Sequence, residues 1–304
     1  MPPFWLSIAL LSLAQGALVA VPRAAPARSL ERLRGRRWAA IPPLSVIAFV
    51  VIARAAEHAS AQGLTYLALC AVPALAALAL GWLARGARPA NALLVLPLFG
   101  LAWIDRGGLG GEGAALILSG LSCVALGVLL AAVTPPRWLA AGIVAMAVAD
   151  TALVVSEELQ RPNNALNAAH PAAGLPRLQS AVLGSAVMGY GDLFVAGALG
   201  ALLATTLGRS PQLRAAALTA LLALCFDLLF FAVNELPATV PVALTLILLV
   251  VARRRRFARP RRAPAPGASP RRLPWRGHSR SPAPPAPPPS GRAPARSDQT
   301  PAAR

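Results

Sequence analysis

A succession of charge-free apolar runs, about 15 to 20 residues each and rich in Leu, Ala and Val, constrains this chain more than any other feature. As helices, runs of that length cross roughly 30 Å of hydrocarbon. Of the 304 residues, 56% are hydrophobic and 13% are charged, whereas a soluble domain carries about 25% charged residues. No room is left for a large soluble domain beside the apolar runs. The sequence predicts an all-α, polytopic membrane helix bundle.

Nine spans are predicted, at about Phe4–Val21, Ala39–Ala55, Leu64–Ala84, Asn91–Ile104, Ala114–Val133, Trp138–Ser156, Ser180–Leu207, Ala215–Val233 and Pro237–Ala252. Met1-Pro2-Pro3 has no positive side chain, and a group of arginines follows the first run. That reverses the order found in a signal peptide, so the first run is expected to be a retained span. Trp5, Trp38, Trp82, Trp103 and Trp138 fall near span ends, where amphipathic rings favour the membrane interface.

The net charge of +18 raises the question of nucleic acid, but the charge is distributed as in a membrane protein. Every basic side chain apart from histidine is Arg, and 14 of the 29 arginines follow Val251. Most others lie in short loops that alternate along the chain. One set holds Arg23, Arg28, Arg32, Arg34, Arg36 and Arg37, then Arg85 and Arg88, Arg137, Arg209 and Arg214, and finally Arg253 to Arg256. The other holds Glu57 and His58, then Asp105, Arg106 and Glu112, then Glu157, Glu158 and Arg161, and finally Glu235. Arg-rich loops stay cytoplasmic, so the expected N-terminus is outside and the C-terminus inside a cell membrane. Three parts follow: membrane helices 1–5 over residues 1–135, helices 6–9 over 136–252, and a cytoplasmic tail over 253–304. The tail is Arg-rich, then Pro-rich as in Ser281-Pro-Ala-Pro-Pro-Ala-Pro-Pro-Pro289. That composition cannot bury a core and is expected to be disordered, held near anionic lipid by its arginines.

Three of the 11 acidic residues, Asp150, Asp192 and Asp227, fall deep inside predicted spans. A carboxylate at mid-bilayer costs roughly 2.5–3.5 kcal/mol on insertion scales, which makes each a functional candidate. Asp150 and Asp192 lie in consecutive spans joined by an outside loop, so antiparallel helices can bring them to similar depth. Asp192 ends Gly189-Tyr190-Gly191-Asp192, where the glycines let backbone or substrate approach closely. Two facing carboxyls in low dielectric share one proton. The ionised member can take a proton from water while the neutral one polarises a peptide carbonyl. Downstream, Leu236-Pro237-Ala238-Thr239-Val240-Pro241 opens the last span. Its two prolines interrupt a regular helical turn, and exposed backbone groups there could pair with an extended substrate strand.

With these motifs the chain resembles the presenilin and signal peptide peptidase family of intramembrane aspartyl proteases. That family carries Tyr-Asp in its sixth span, Gly-x-Gly-Asp in its seventh and Pro-Ala-Leu at the start of its ninth. The counterparts are Ala149-Asp150, Gly189-Tyr190-Gly191-Asp192 and Pro237-Ala238-Thr239, in the same three spans. The likeness runs from about Pro136 to Val251, and it departs from the family at Ala149 and Thr239. The resemblance implies hydrolysis of peptide bonds within transmembrane helices, with Asp150 and Asp192 catalytic. It implies that Gly189, Tyr190, Gly191, Leu236, Pro237, Ala238 and Thr239 shape the substrate cleft. No metal or organic cofactor is expected, and water is the second substrate. The expected partners are a membrane-spanning peptide or protein and the lipid bilayer, with no specific nucleic acid. The orientation matches signal peptide peptidase, implying type II substrates or remnant signal peptides.

Two other readings stay open. Met188-Gly-Tyr-Gly-Asp192 also resembles the second motif of type IV prepilin peptidases, although Phe194 stands where that motif usually has Lys. Paired intramembrane acids also serve proton-linked transporters, and a membrane scaffold needs no chemistry. Asp227 is expected to hydrogen-bond a neighbour in support of structure, with support of the Asp150 and Asp192 pair as the alternative. His58, His170 and His278 lack the neighbours of a metal site, and Cys70, Cys123 and Cys225 read as small packing residues.

Overall fold

The computed structural model describes residues 3–24, 28–55, 57–156, 175–233 and 236–258. The expectations for Glu157, Glu158, Arg161, His170, Glu235 and the tail from Arg259 onward, with His278, lie outside the described residues. So do those for the side chains of Glu57, His58, Arg255 and Arg256.

Among the described residues there are nine α-helices: α1 Phe4–Ala20, α2 Ile41–Ala55, α3 Glu57–Leu78, α4 Val95–Ile104, α5 Leu109–Val133, α6 Pro136–Val155, α7 Tyr190–Thr206, α8 Arg209–Asp227 and α9 Val240–Ala258. Four helical segments are each long and apolar enough to cross a bilayer: Gln62–Leu83, Leu109–Val133, Pro136–Val155 and Arg209–Phe231. Shorter apolar helices cover Phe4–Ala20, Pro89–Ile104 and Tyr190–Thr206. The chain is therefore a helical membrane protein.

One departure from an all-helical chain stands at the seventh predicted span. Ser180–Leu183 forms β1, which pairs antiparallel with β2, Ala186–Gly189, in the register Ser180 to Gly189 and Leu183 to Ala186. Gly184 takes φ 60° in the two-residue turn, a left-handed conformation that glycine adopts without steric cost. The predicted run Ser180–Leu207 is thus a hairpin followed by α7, not one continuous helix.

Residue placement on α1 follows a bilayer solvent. Ser7, Ile8, Leu11, Ser12, Gln15, Gly16, Leu18 and Val19 are buried, a stripe at helical spacing that carries every polar side chain of the helix. Trp5, Leu6, Leu10 and Leu13 face outward, with Leu6 50% exposed. Apolar surface outside and polar groups inside suit a solvent of hydrocarbon.

Helix α5 is central, packing against α3, α4 and α7. Its crossing with α7 depends on two glycines: a Cβ on Gly127 would lie 2.5 Å from the Gly197 carbonyl carbon, and one on Gly197 would lie 2.6 Å from the Cys123 oxygen. Small residues let two backbones approach this closely, which is how helices associate where lipid removes the hydrophobic drive. On α1, Gly16 similarly receives Ala220 of α8.

The C-terminal end of α1 is buried, so its carbonyls need donors from the protein. Gln212 Nε2 donates to the oxygens of Val19 and Pro22, each at 2.9 Å. Arg209 Nη1 donates to the Ala20 oxygen at 2.6 Å, and the Arg85 backbone N–H donates to the Val21 oxygen at 2.9 Å. Arg85 also donates from Nη2 to Gln212 Oε1 at 2.6 Å, holding that amide in place.

Candidate active site

Three separate stretches of sequence meet near the hairpin: the second half of α6, the start of α7 and the segment that leads into α9. Asp150 lies five residues before the end of α6, Val155. Asp192 lies in the first turn of α7. Met146 of α6 lies beside Gly191 of α7, so each aspartate is within four residues of a point where the two helices meet. Asp192 is therefore not deep within a continuous helix, as the sequence suggested; the hairpin takes the preceding residues.

Asp192 has a local task. Its Oδ2 accepts the Gly189 backbone N–H at 3.1 Å, reaching back across the first turn to an N–H that the helix leaves unpaired. The carboxylate also stands at the positive end of the α7 dipole. Asp150 is 8% exposed. Its Oδ2 accepts the Thr239 hydroxyl at 2.6 Å. Asp192 lies within reach of the Asp150 charge. At the same level, Gly191 passes Met146 of α6, whose Cε would lie 3.2 Å from a Cβ at that position. A Cβ at Gly191 would need the Met146 methyl to shift by a few tenths of an ångström.

Segment 236–239 is non-helical, as its prolines predict, and α9 begins at Val240. Three of its four carbonyls, however, are engaged. Pro237 O accepts from the Val240 N–H at 3.1 Å, Thr239 O accepts from the Ala243 N–H at 3.1 Å, and Ala238 O accepts from Gln15 Nε2 at 2.7 Å. The expectation of exposed backbone groups here therefore does not hold for these three carbonyls. Each strand of the hairpin has one edge that the other does not pair.

A cavity of about 60 Å³ opens beside Asp192. Leu236 and Ala238 line it together with Val187 and Met188 of β2, Ser12 and Gln15 of α1, Asp227 of α8 and Pro241. Gly189 is exposed at the head of α7, and Pro237 and Thr239 are buried behind the cavity wall. Tyr190 turns the other way: its hydroxyl lies 2.6 Å from Ser122 Oγ on α5, and Cys123 Sγ donates to its backbone oxygen at 3.7 Å. Of the residues expected to form the cleft, Asp192, Leu236 and Ala238 share this space, Thr239 reaches Asp150, and Tyr190 binds α5.

Sequence reasoning missed the contribution of α1. Ser12 Oγ donates to Asp227 Oδ2 at 2.6 Å, and Gln15 ties α1 to Ala238. The readable sign was a Gln and two Ser in an otherwise apolar span, since uncharged polar groups in hydrocarbon seek partners on other helices.

Among the described residues no group of three His, Cys, Asp or Glu side chains is arranged to hold a metal ion. Compared with known protein families, curated proteins and solved structures, the chain gives no match.

Proposed function

We propose that this protein is an intramembrane aspartyl protease of the presenilin and signal peptide peptidase type. The observation that carries the reading is the bond from Thr239 to Asp150 beside the cavity that Leu236 and Ala238 share with Asp192. Three motifs far apart in sequence meet around two acids, as hydrolysis by a carboxyl pair requires.

In the proposed reaction one carboxylate of the pair takes a proton from water while the oxygen of that water bonds to the peptide carbonyl carbon. The other, neutral carboxyl gives its proton to the carbonyl oxygen, forming a gem-diol. The C–N bond then breaks, the nitrogen takes a proton and a hydroxyl loses one. One water is consumed, a carboxylic acid and an amine are released, and the pair returns to its one-proton state. Thr239 and the Gly189 N–H hold one oxygen of Asp150 and of Asp192 respectively, leaving the other oxygens for substrate and water. The substrate must be locally unwound, and the free hairpin edge supplies main-chain partners for it. With an outside N-terminus and nine spans, the substrates are helices of type II orientation or remnant signal peptides.

The test is cleavage of a model transmembrane helix by the purified protein in vesicles, read by mass spectrometry of the products. Cleavage that disappears with either Asp150→Ala or Asp192→Ala supports the proposal. Cleavage that survives both, or proton-linked solute uptake without cleavage, overturns it.

A further inference from the structure

The third intramembrane acid, Asp227, is built into the cavity beside Asp192. It is the last residue of α8 and accepts the Ser12 hydroxyl. Ser12 is 1% exposed and Gln15 0% exposed, so neither reaches bulk water. Gln15 donates its amide N–H to Ala238 O, yet its carbonyl oxygen Oε1 is buried without a partner among the described residues. A buried amide oxygen without a donor is costly, and an ordered water is its ordinary remedy. The space suits one: the cavity measures about 60 Å³, whereas a water needs roughly 10–15 Å³ by this measure. Its polar lining comes from Ser12, Gln15, Asp192 and Asp227, enough to give a small water cluster the two to four partners it requires.

We infer that this cavity is a water-binding site that supplies the hydrolytic water to Asp192, with Asp227 as its positioning residue. The delivery role rests on the protease reading; the water site itself does not. Gln15 Oε1 accepts one water hydrogen, and the Asp227 carboxyl, held by Ser12, accepts another. The cluster then reaches Asp192 from the α1 side, away from the Thr239 bond that occupies Asp150. Ala238 links the site to the segment before α9, so water and that segment are held by the same glutamine.

Two measurements decide it, both on the full chain in lipid nanodiscs. The first is X-ray hydroxyl-radical labelling read by mass spectrometry, which oxidises a buried side chain where bound water lies beside it. Met188 lines the cavity and is 5% exposed. Its labelling falls roughly threefold or more in Gln15→Leu and in Ala223→Val, which grows into the cavity without removing a polar group. Equal labelling of Met188 in the wild type and in whichever of these variants keeps its wild-type melting behaviour overturns the water site. The second is the pH profile of helix cleavage. Asp227→Asn lowers kcat by about 10- to 100-fold with KM unchanged and displaces the profile, and Asp227→Glu restores both. An unchanged profile in Asp227→Asn overturns the positioning role. Absence of cleavage by the wild type overturns the delivery role together with the protease reading, while the labelling still decides whether the cavity holds water.

Discussion

The two sides of α5 are built from different materials. Toward α3 and α4 it packs against a small apolar cluster of Ala68, Val72, Ala76, Val95 and Ala102, closed by Leu178. Toward α7, and through it toward α1, α6 and the start of α9, the buried residues include Ser12, Gln15, Ser122, Asp150 and Thr239. The apolar side gains little from a hydrophobic drive in lipid and depends on close packing of small residues. On the polar side Ser12 bonds Asp227, Gln15 bonds Ala238 and Thr239 bonds Asp150, each across segments far apart in sequence. Polar groups are costly in hydrocarbon, so a concentration of them on one side makes that side the candidate for function.

That contrast can be broken experimentally. The largest expected effect is on the polar side: Asp150→Ala or Asp192→Ala lowers model-helix cleavage by about 10³-fold, within the range of general acid–base catalysis. On the apolar side, Ala76→Leu overfills a site that is 0% exposed and lowers stability by about 1–3 kcal/mol. Thermal unfolding in detergent checks it, and cleavage per folded molecule stays unchanged. At the crossing between the sides, Gly127→Ala forces α5 from α7 and costs about 1–3 kcal/mol, again read by melting. Thr239→Val keeps the shape but removes the hydroxyl that meets Asp150, at a cost of about 1–3 kcal/mol. It lowers both melting temperature and kcat, and Thr239→Ser recovers the activity. The smallest effect is expected at Gly100 in α4, where a Cβ would meet nothing within 4 Å. Gly100→Ala stabilises by about 0.5–1 kcal/mol, because the helix loses less backbone freedom on folding.

The hairpin shows why part of this was hidden in the sequence. Ser180–Leu207 reads as one apolar run, and length favours a span. Yet Gly184-Ser185 between Ala-Val-Leu183 and Ala186-Val-Met188 is a two-residue turn between β-capable segments. That sign was legible and was outweighed by hydropathy. Its consequence is local but large: α7 starts at Tyr190, and Asp192 becomes a first-turn residue bonded to the Gly189 N–H. The segment before α9 was legible as a break in the helix because proline cannot complete the turn, but its partners were not. That Gln15 would reach Ala238 depends on packing between residues 223 positions apart.

From sequence alone came the class of molecule, the candidate acids and the interrupted start of the last helix. These follow from local properties: run length against membrane thickness, the cost of a carboxylate in hydrocarbon and the fixed φ of proline. Tertiary structure decided which groups meet. It turned Tyr190 toward Ser122, set Thr239 on Asp150 and brought Asp227 and α1 to the cavity beside Asp192. Hydropathy has no term for these pairings, because each forms only when buried donors and acceptors on different helices find one another in packing.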